Sequence, residues 1–167
     1  MERVLPNVVR LVSAHPEQCI FTRFIPAARP GEGRGYWKTY YERWADMTLE
    51  ALPAEAVELV DPLPRFTPPA RVIDKAVYSP WSAAALSEIL RAERAERLVI
   101  SGAETDVCVL AAVLGAVDRG FRIVVAKDAV CSSADETHDA ILTLFGKRYR
   151  DQVELMTVDE ILDRWPG

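Results

Sequence analysis

Short apolar runs rich in β-branched residues alternate along this chain with segments whose apolar positions recur every three or four residues. The runs predict strands, and the amphipathic segments predict the helices between them. Strands that alternate with helices favour a parallel sheet with helices on both faces. The pattern therefore predicts an α/β fold, a three-layer α/β/α sandwich in one domain over 1–167. The predicted strands are 18–24, 71–75, 97–102, 122–128 and 152–157.

Capping residues indicate where several of the helices begin. Thr157 with Glu160, and Ser133 with Glu136, have the spacing of a capping box, in which each residue satisfies a backbone N–H at the helix start. Thr105 is placed to cap the apolar helix that ends at Gly120.

The segment 26–70 departs from this alternation. It combines a loop with glycine and arginine, an aromatic helix and the proline-rich stretch 61–70. Long excursions on an α/β scaffold are where ligands are usually met, so we expect this segment to cover a pocket. The GEGRG stretch, 31–35, does not link a strand to a helix and is interpreted as a flexible loop.

Composition excludes several classes of protein. The chain has 167 residues, of which 50% are hydrophobic and 27% charged, which is typical of a globular domain and not of a disordered chain. The longest apolar run, 107–117, is far short of the ~20 residues that a membrane span needs. The net charge of −5 leaves no basic stripe for nucleic acid. We therefore expect a small-molecule partner, no membrane and no nucleic acid.

Cysteine and histidine usage points to a reducing compartment and away from a zinc site. The three cysteines show no CxxC spacing, which favours free thiols in a cytoplasmic protein. No secretory signal is visible at the start of the sequence. The two histidines, His15 and His138, have no paired spacing, so a His-built metal site is not expected. His138 is interpreted as a surface or supporting residue.

Two strand ends carry residues with chemical potential. The stretch 101–108 runs from a strand through a tight turn into a helix whose first turn contains Cys108. The positive end of that helix favours a thiolate, and its free N–H groups could hold an oxyanion. Lys75 ends another strand, where a lysine is unusual. The alternative for Cys108 is a small core residue, and core packing is the interpretation of Cys19 and Cys131.

From about Leu5 to Trp165 the sequence resembles the isochorismatase-like cysteine hydrolases, a superfamily that includes nicotinamidases, N-carbamoylsarcosine amidohydrolase and isochorismatase. The most specific match is G-x-x-T-D-x-C-V, followed by D-R-G-[FY]-R and D-A. Lys75 precedes Cys108 at a separation typical of the family. The matching stretches are IFTRF, DKAVYSPW, LVISGAETDVCVLAAVLGAVDRGFRIVVAKDAVCSS and HDA.

The resemblance implies a role for each matching residue. Cys108 would be the nucleophile, and Lys75 the triad lysine that holds its thiolate. A cis peptide would fall at Ala103–Glu104 and turn the Glu104 N–H toward the Cys108 N–H to form an oxyanion hole. The implied reaction is hydrolysis of a C–N bond in a small amide or ureide through an acyl-enzyme, without a cofactor. The resemblance also implies a homo-oligomer, a dimer or tetramer. Two further matches, Asp106 and Asp128, would be structural.

Residues around the two strand ends are candidates for the substrate pocket. Aromatic side chains after Lys75 and in the 26–70 excursion would form its walls, although an aromatic stripe is more often core. An arginine at the end of the first predicted strand could receive a carboxylate. The candidate pocket residues are Arg23, Tyr36, Trp37, Tyr78 and Trp81.

The sequence also departs from the family pattern. The third triad member, an aspartate at the end of the family's first strand, has no counterpart, and Asp74 should point away from Lys75 because side chains alternate along a strand. The D-x-H metal pair of nicotinamidases is missing, so no metal is expected. A catalytically inactive relative that binds a small ligand or scaffolds an oligomer therefore remains as the alternative function. A redox or sensor protein using Cys108 is weaker, because no resolving cysteine is adjacent.

The strand that would carry the aspartate is central in the resembled fold, whose strand order is 3-2-1-4-5-6. Its absence would leave 18–24 and 97–102 bordering a gap about 10 Å wide with unpaired backbone groups. Three expectations follow. The two strands pair directly, a partner chain inserts a strand, or roughly 20–35 residues precede this sequence. The third expectation ranks first because it would restore the aspartate as well as the strand.

Overall fold

Five strands form close to the predicted positions and assemble into two parallel sheets. A computed structural model describes residues 1–165. One sheet pairs β1 with β2, and the other has the order β3-β4-β5. The prediction of an α/β fold is confirmed. The strands are β1 (Ile20–Phe24), β2 (Arg71–Lys75), β3 (Arg97–Ala103), β4 (Arg122–Cys131) and β5 (Val153–Met156).

Helices connect the strands and pack on the sheets. A π-helical turn, Thr105–Val109, links β3 to the helix that follows it. Within residues 1–165, none of the helices has both the length and the apolar character that crossing a membrane requires. The helices are α1 (Leu5–Ala14), α2 (Trp37–Arg43), α3 (Ala84–Ala92), α4 (Leu110–Val117), α5 (Asp135–Arg148) and α6 (Val158–Arg164).

The three-stranded sheet is the middle layer of a sandwich. Successive side chains of β4 point to opposite faces, and both faces are covered, which explains why its sequence is an almost continuous apolar run. Val124 packs in a cluster with α1 and α6, whereas Val125 packs in a cluster with α4 and α5. Asp128 connects these layers, because it accepts hydrogen bonds from the Asn7 side chain and from the Val158 N–H.

The two-stranded sheet is covered differently on its two faces. Ile73 packs on α3 on one side. On the other side Arg23 and Asp74 are register partners and form an exposed ion pair. Asp74 therefore points away from the buried Lys75, as the alternation along the strand predicts.

The edge strands β1 and β3 of the two sheets lie on opposite sides of a cavity of about 1920 Å³. The strands of both sheets run in the same direction. Ile20 and Leu98, near the starts of β1 and β3, lie in one apolar cluster, whereas Lys75 and Cys108 meet at the opposite, carboxyl end. Both strands line the cavity along their lengths. Within residues 1–165, no backbone hydrogen bond joins β1 to β3. Direct pairing of 18–24 with 97–102, one of the three expectations, is therefore wrong.

Capping follows the sequence at one helix and departs from it at two. Thr157 and Glu160 form the predicted capping box at α6. Ser133 does not cap α5, because its hydroxyl donates to the Glu104 carboxylate. Thr105 does not cap α4, because its side chain is fully buried in the π-helical turn and contacts α5. Both residues have more distant partners, which local spacing does not reveal.

Candidate active site

The structure brings Lys75 and Cys108 together at the carboxyl edge of the sheets. The Lys75 Nζ lies 3.2 Å from the Cys108 Sγ and 3.2 Å from the Val77 carbonyl oxygen, to which it donates. Its ammonium also stands 5.1 Å from the ring centroid of Phe24, in cation–π geometry. The side chain is only 4% exposed, so its charge interacts with these groups and little with water.

The chain folds so that each residue of the pair comes from a different sheet. Lys75 is the last residue of β2, and Cys108 lies in the π-helical turn that follows β3. Carboxyl ends of parallel strands meet at one edge, which is where α/β folds hold their ligands. Cys108 is half-buried and borders the large cavity, so it is not sealed in the core.

The turn before Cys108 presents backbone donors. The Ala103–Glu104 peptide bond is cis. The Glu104 carbonyl accepts hydrogen bonds from the Val107 and Val109 N–H groups, which closes the turn. Among the residues that the structure describes, no acceptor takes the Glu104 N–H. That N–H is available to a ligand beside the thiol.

Side chains from the end of β4 and the start of α5 hold this turn in place. The Ser132 hydroxyl donates to the Asp106 carboxylate at 2.6 Å and accepts from the Asp106 N–H at 3.3 Å. This hydrogen bond, together with one from Thr137, lowers the pKa of Asp106. His138 Nδ1 lies 2.9 Å from the Thr105 hydroxyl. Sequence reasoning did not assign Ser132 to the site, although its place directly after β4 is a signal that could have found it.

Aromatic residues surround the lysine. Trp37 and Tyr78 are in edge-to-face contact, with ring centroids 4.9 Å apart. Tyr78 also stacks on Phe24, and Trp37 contacts Phe24 at a tilt of 40°. Phe24 lies under the Lys75 ammonium. Burial and the neighbouring Tyr40 raise the pKa of Tyr78, so its phenol is a hydrogen-bond donor at neutral pH. Phe24 was not among the predicted pocket residues, although it ends β1 and pairs with Lys75 in the register.

Of the predicted pocket residues, Arg23, Tyr78 and Trp81 line the cavity, whereas Tyr36 and Trp37 are not among its lining residues. The Arg23 guanidinium is paired with Asp74 at 2.8 Å and with Glu58 at 2.6 Å, so it is not free to receive a substrate carboxylate. Tyr36 is 89% exposed and does not form a wall. Trp81 borders the cavity, but its indole N–H donates to the Ala112 carbonyl at 2.9 Å and its ring stacks on Phe121.

The same indole explains a glycine in α4. A Cβ at Gly115 would lie 2.2 Å from Trp81, a separation that no side chain allows. Trp81 therefore packs closely on α4 and stabilises the fold. Arg119 adds a cation over the outer face of the indole, at 4.5 Å from the ring centroid.

Charge compensation at the site is incomplete within residues 1–165. Lys75 forms no ion pair with a carboxylate among these residues. The acidic residue nearest in sequence, Asp74, is paired with Arg23 on the other face of the strand. In the part of the chain that the structure describes, no three His, Cys, Asp or Glu residues are grouped to hold a metal ion.

The fold and the site together define an α/β sandwich protein with a thiol and an ammonium at the carboxyl edge of its sheets. A family model, the Isochorismatase domain, matches residues 1–158. The chain belongs to the isochorismatase family.

Curated relatives match about half of the chain. An uncharacterized isochorismatase family protein, PncA of Bacillus subtilis (strain 168), is 37% identical over 81 residues, which is 48% of this chain and 44% of the relative. Maleamate amidohydrolase of Pseudomonas putida is 29% identical over 82 residues, 49% of this chain and 38% of the relative. The chain thus matches less than half the length of these two relatives.

Solved structures match over most of the chain. The nicotinamidase PncA from Bacillus subtilis has a TM-score of 0.71 at 23% identity and covers 92% of this chain and 85% of its own. The N-carbamoylsarcosine amidase from Thermoplasma acidophilum has a TM-score of 0.72 at 20% identity and covers 96% of this chain and 85% of its own. At these identities the likeness establishes the fold.

Proposed function

We propose that this protein is a cysteine hydrolase that cleaves a C–N bond in a small amide or ureide through an acyl-enzyme, without a cofactor. The observation that carries the proposal is the distance of 3.2 Å between the Lys75 ammonium and the Cys108 sulfur beside a large cavity. A buried ammonium in contact with a thiol favours the thiolate, which is the nucleophilic form. The family membership and the amidase names of several relatives support the same reaction class.

The reaction would proceed in two stages. The Cys108 thiolate attacks the substrate carbonyl carbon and forms a C–S bond, while the carbonyl electrons move to oxygen. The N–H groups of Glu104 and Cys108 hold that oxyanion. When the oxyanion collapses, the C–N bond breaks. The leaving nitrogen takes a proton from the Lys75 ammonium, which lies beside the Cys108 sulfur. Water then attacks the thioester carbonyl carbon, and the C–S bond breaks to return the Cys108 thiolate and release the acid, while the proton lost by the water restores the Lys75 ammonium.

The surroundings of the pair support a small, planar substrate. Phe24 and Tyr78 line the cavity next to the ammonium, with Trp37 packed against both, and such aromatic walls pack well on flat carbonyl compounds. The homo-oligomer that the family resemblance implies and the cytoplasmic location that the cysteine usage favours stay predictions.

A second candidate function is a catalytically inactive relative that binds a small carbonyl ligand or scaffolds an oligomer. The observation that favours it is the missing carboxylate partner of Lys75 within residues 1–165. Without such a group, no obvious base is in place to accept the thiol proton or to activate the incoming water.

The first experiment asks which cysteine is nucleophilic. Iodoacetamide at near-neutral pH should alkylate Cys108 before the other cysteines. Burial and the Glu17 charge raise the pKa of Cys19 to about 11, so only about one Cys19 thiol in a thousand is ionised at pH 8. Peptide mapping by mass spectrometry locates the label, and preferential labelling of Cys19 or Cys131 would overturn the assignment of Cys108.

The second experiment separates the two functions. An activated ester or amide should leave an acyl adduct on Cys108, and Cys108→Ser should lack the adduct that forms in the wild type. Cys19→Ala is the matched control and should acylate normally. If small amides and ureides are turned over only at background rates while a ligand still binds the cavity, the inactive relative is the better description.

A further inference from the structure

A buried hydrogen bond connects the turn before Cys108 to helix α5. Thr105 is fully buried, and its hydroxyl oxygen lies 2.9 Å from His138 Nδ1. His138 is the fourth residue of α5 and half-buried. The Thr105 side chain makes no other hydrogen bond within residues 1–165, so His138 alone sets the orientation of its hydroxyl.

Because of the position of Thr105, its contact with His138 affects the turn that contains Cys108. Thr105 directly follows Glu104, whose N–H has no acceptor within residues 1–165, and it opens the π-helical turn that contains Cys108. A movement of Thr105 therefore changes the directions of the Glu104 and Cys108 N–H groups. The turn has further side-chain contacts, of Asp106 with Ser132 and Thr137, of Glu104 with Ser133, and of Cys108 with Lys75. None of these contacts involves the Thr105 side chain.

We propose that His138 is a positioning residue that holds Thr105 and thereby aims the N–H groups of Glu104 and Cys108 at the developing oxyanion. The inference rests on the proposed hydrolase function and adds a residue to that site. His138 acts on the oxyanion side only, because the Cys108 sulfur is contacted from a separate element by Lys75 of β2. Experiments can therefore test the oxyanion-binding N–H groups separately from the contact between Lys75 and the Cys108 sulfur.

Two reagents distinguish the oxyanion-binding N–H groups from the reactivity of the Cys108 thiolate. Acylation of Cys108 by p-nitrophenyl acetate passes through an oxyanion, whereas alkylation by iodoacetamide needs the thiolate and no oxyanion hole. We expect His138→Ala to slow acylation about tenfold, less than the ~10²–10³-fold loss of a direct oxyanion donor. Alkylation should stay within about twofold of the wild type, because a displacement at carbon develops no oxyanion.

Conservative variants show whether the Nδ1 contact is responsible. An asparagine amide occupies nearly the place of the Nδ1 atom, so His138→Asn should restore most of the acylation rate. His138→Gln moves the amide one methylene further and should not restore it. His15 is the matched control, since it stacks on Trp165 and lies outside the site, and His15→Ala should leave acylation unchanged.

Amide hydrogen exchange of residues 104–109 tests the same inference without any activity. Exchange in this turn should be faster in His138→Ala and return to the wild-type rate in His138→Asn. Unchanged exchange and acylation in His138→Ala would overturn the inference, as would equal losses of acylation and alkylation with a lowered melting temperature. If the wild type is alkylated but never acylated, the proposed function fails, and the exchange rates still decide whether His138 holds the turn.

Discussion

The two sheets of this protein are built to different degrees of closure. In the three-stranded sheet, β4 is paired on both edges and covered on both faces, and residues such as Ile123 and Val125 are fully buried. In the two-stranded sheet, β1 and β2 share one edge, and Val72 remains 37% exposed on the face opposite α3. The three-stranded sheet, here called the closed sheet, thus has a central strand paired on both edges, whereas the two-stranded open sheet has no such strand within residues 1–165.

The candidate active site lies where these layers meet. Cys108 follows the closed sheet, whereas Lys75 ends the open one. Side-chain packing joins the two, since Phe21 and Val99 belong to one apolar cluster, and β1 and β3 share no backbone hydrogen bond within residues 1–165. The contact between the Lys75 ammonium and the Cys108 thiol therefore depends on side-chain packing between the two sheets, which fixes distances less rigidly than backbone hydrogen bonds between strands.

Removing the charge that the open sheet supplies should have the largest effect. Lys75→Met keeps the length and apolar stem of the side chain, and we expect it to slow acylation of Cys108 about 100-fold or more, because the thiolate loses its ammonium partner. Stability should be equal or higher, since a buried charge that has no carboxylate partner within residues 1–165 is replaced by an apolar group. Stopped-flow acylation measures the rate.

Lys127→Met, at a half-exposed position of β4, is the control for the general loss of a lysine charge. An unchanged acylation rate in Lys75→Met would contradict the role given to the ammonium.

Hydrogen exchange compares the two sheets directly. Amides of β4 should exchange at least about 100-fold more slowly than those of β1, because β4 is hydrogen-bonded to two neighbouring strands while β1, within residues 1–165, pairs only with β2. Mass spectrometry of peptic fragments resolves the two strands. Equal protection of β1 and β4 would mean that a strand from outside residues 1–165 fills the space between β1 and β3 in solution.

One substitution placed in both sheets measures the difference in packing. Val125→Ala removes two buried methyl groups from the closed sheet and should lower the free energy of unfolding by about 2 kcal/mol. Val72→Ala makes the same change on the exposed face of β2 and should cost no more than about 0.5 kcal/mol. Urea unfolding measures both values, and equal losses would show that β2 is as tightly packed as β4.

The smallest expected effect concerns the connection between the turn and the closed sheet. The Ser132 hydroxyl, followed by Thr137, lowers the pKa of Asp106, so the folded state favours its ionised form. The resulting stability is present above the unfolded pKa of an aspartate and is lost as pH falls through the lower folded pKa. Urea unfolding of the wild type and Asp106→Asn should therefore differ at pH 7 and converge in acid. A constant difference would assign the effect to packing.

Several features could be predicted from the sequence because their causes are local. The apolar runs of β2 and β4 identify the strands, and the alternation along β2 separates Asp74 from Lys75. The capping box of Thr157 and Glu160 forms because both partners lie within one helical turn. The same local rule was wrong for Ser133, since a carboxylate that is distant in sequence, on Glu104, is its partner.

The sequence by itself determined the elements and the faces of the strands, since periodicity depends on neighbouring residues, and its resemblance to a family pointed to Lys75 and Cys108 as the candidate reactive residues. Only the tertiary structure decided that Lys75 Nζ and Cys108 Sγ are 3.2 Å apart, that Arg23 is paired with Asp74, and that His138 contacts Thr105. Such contacts join residues far apart in the chain. Their distances follow from how helices and sheets pack, and no local pattern encodes that packing.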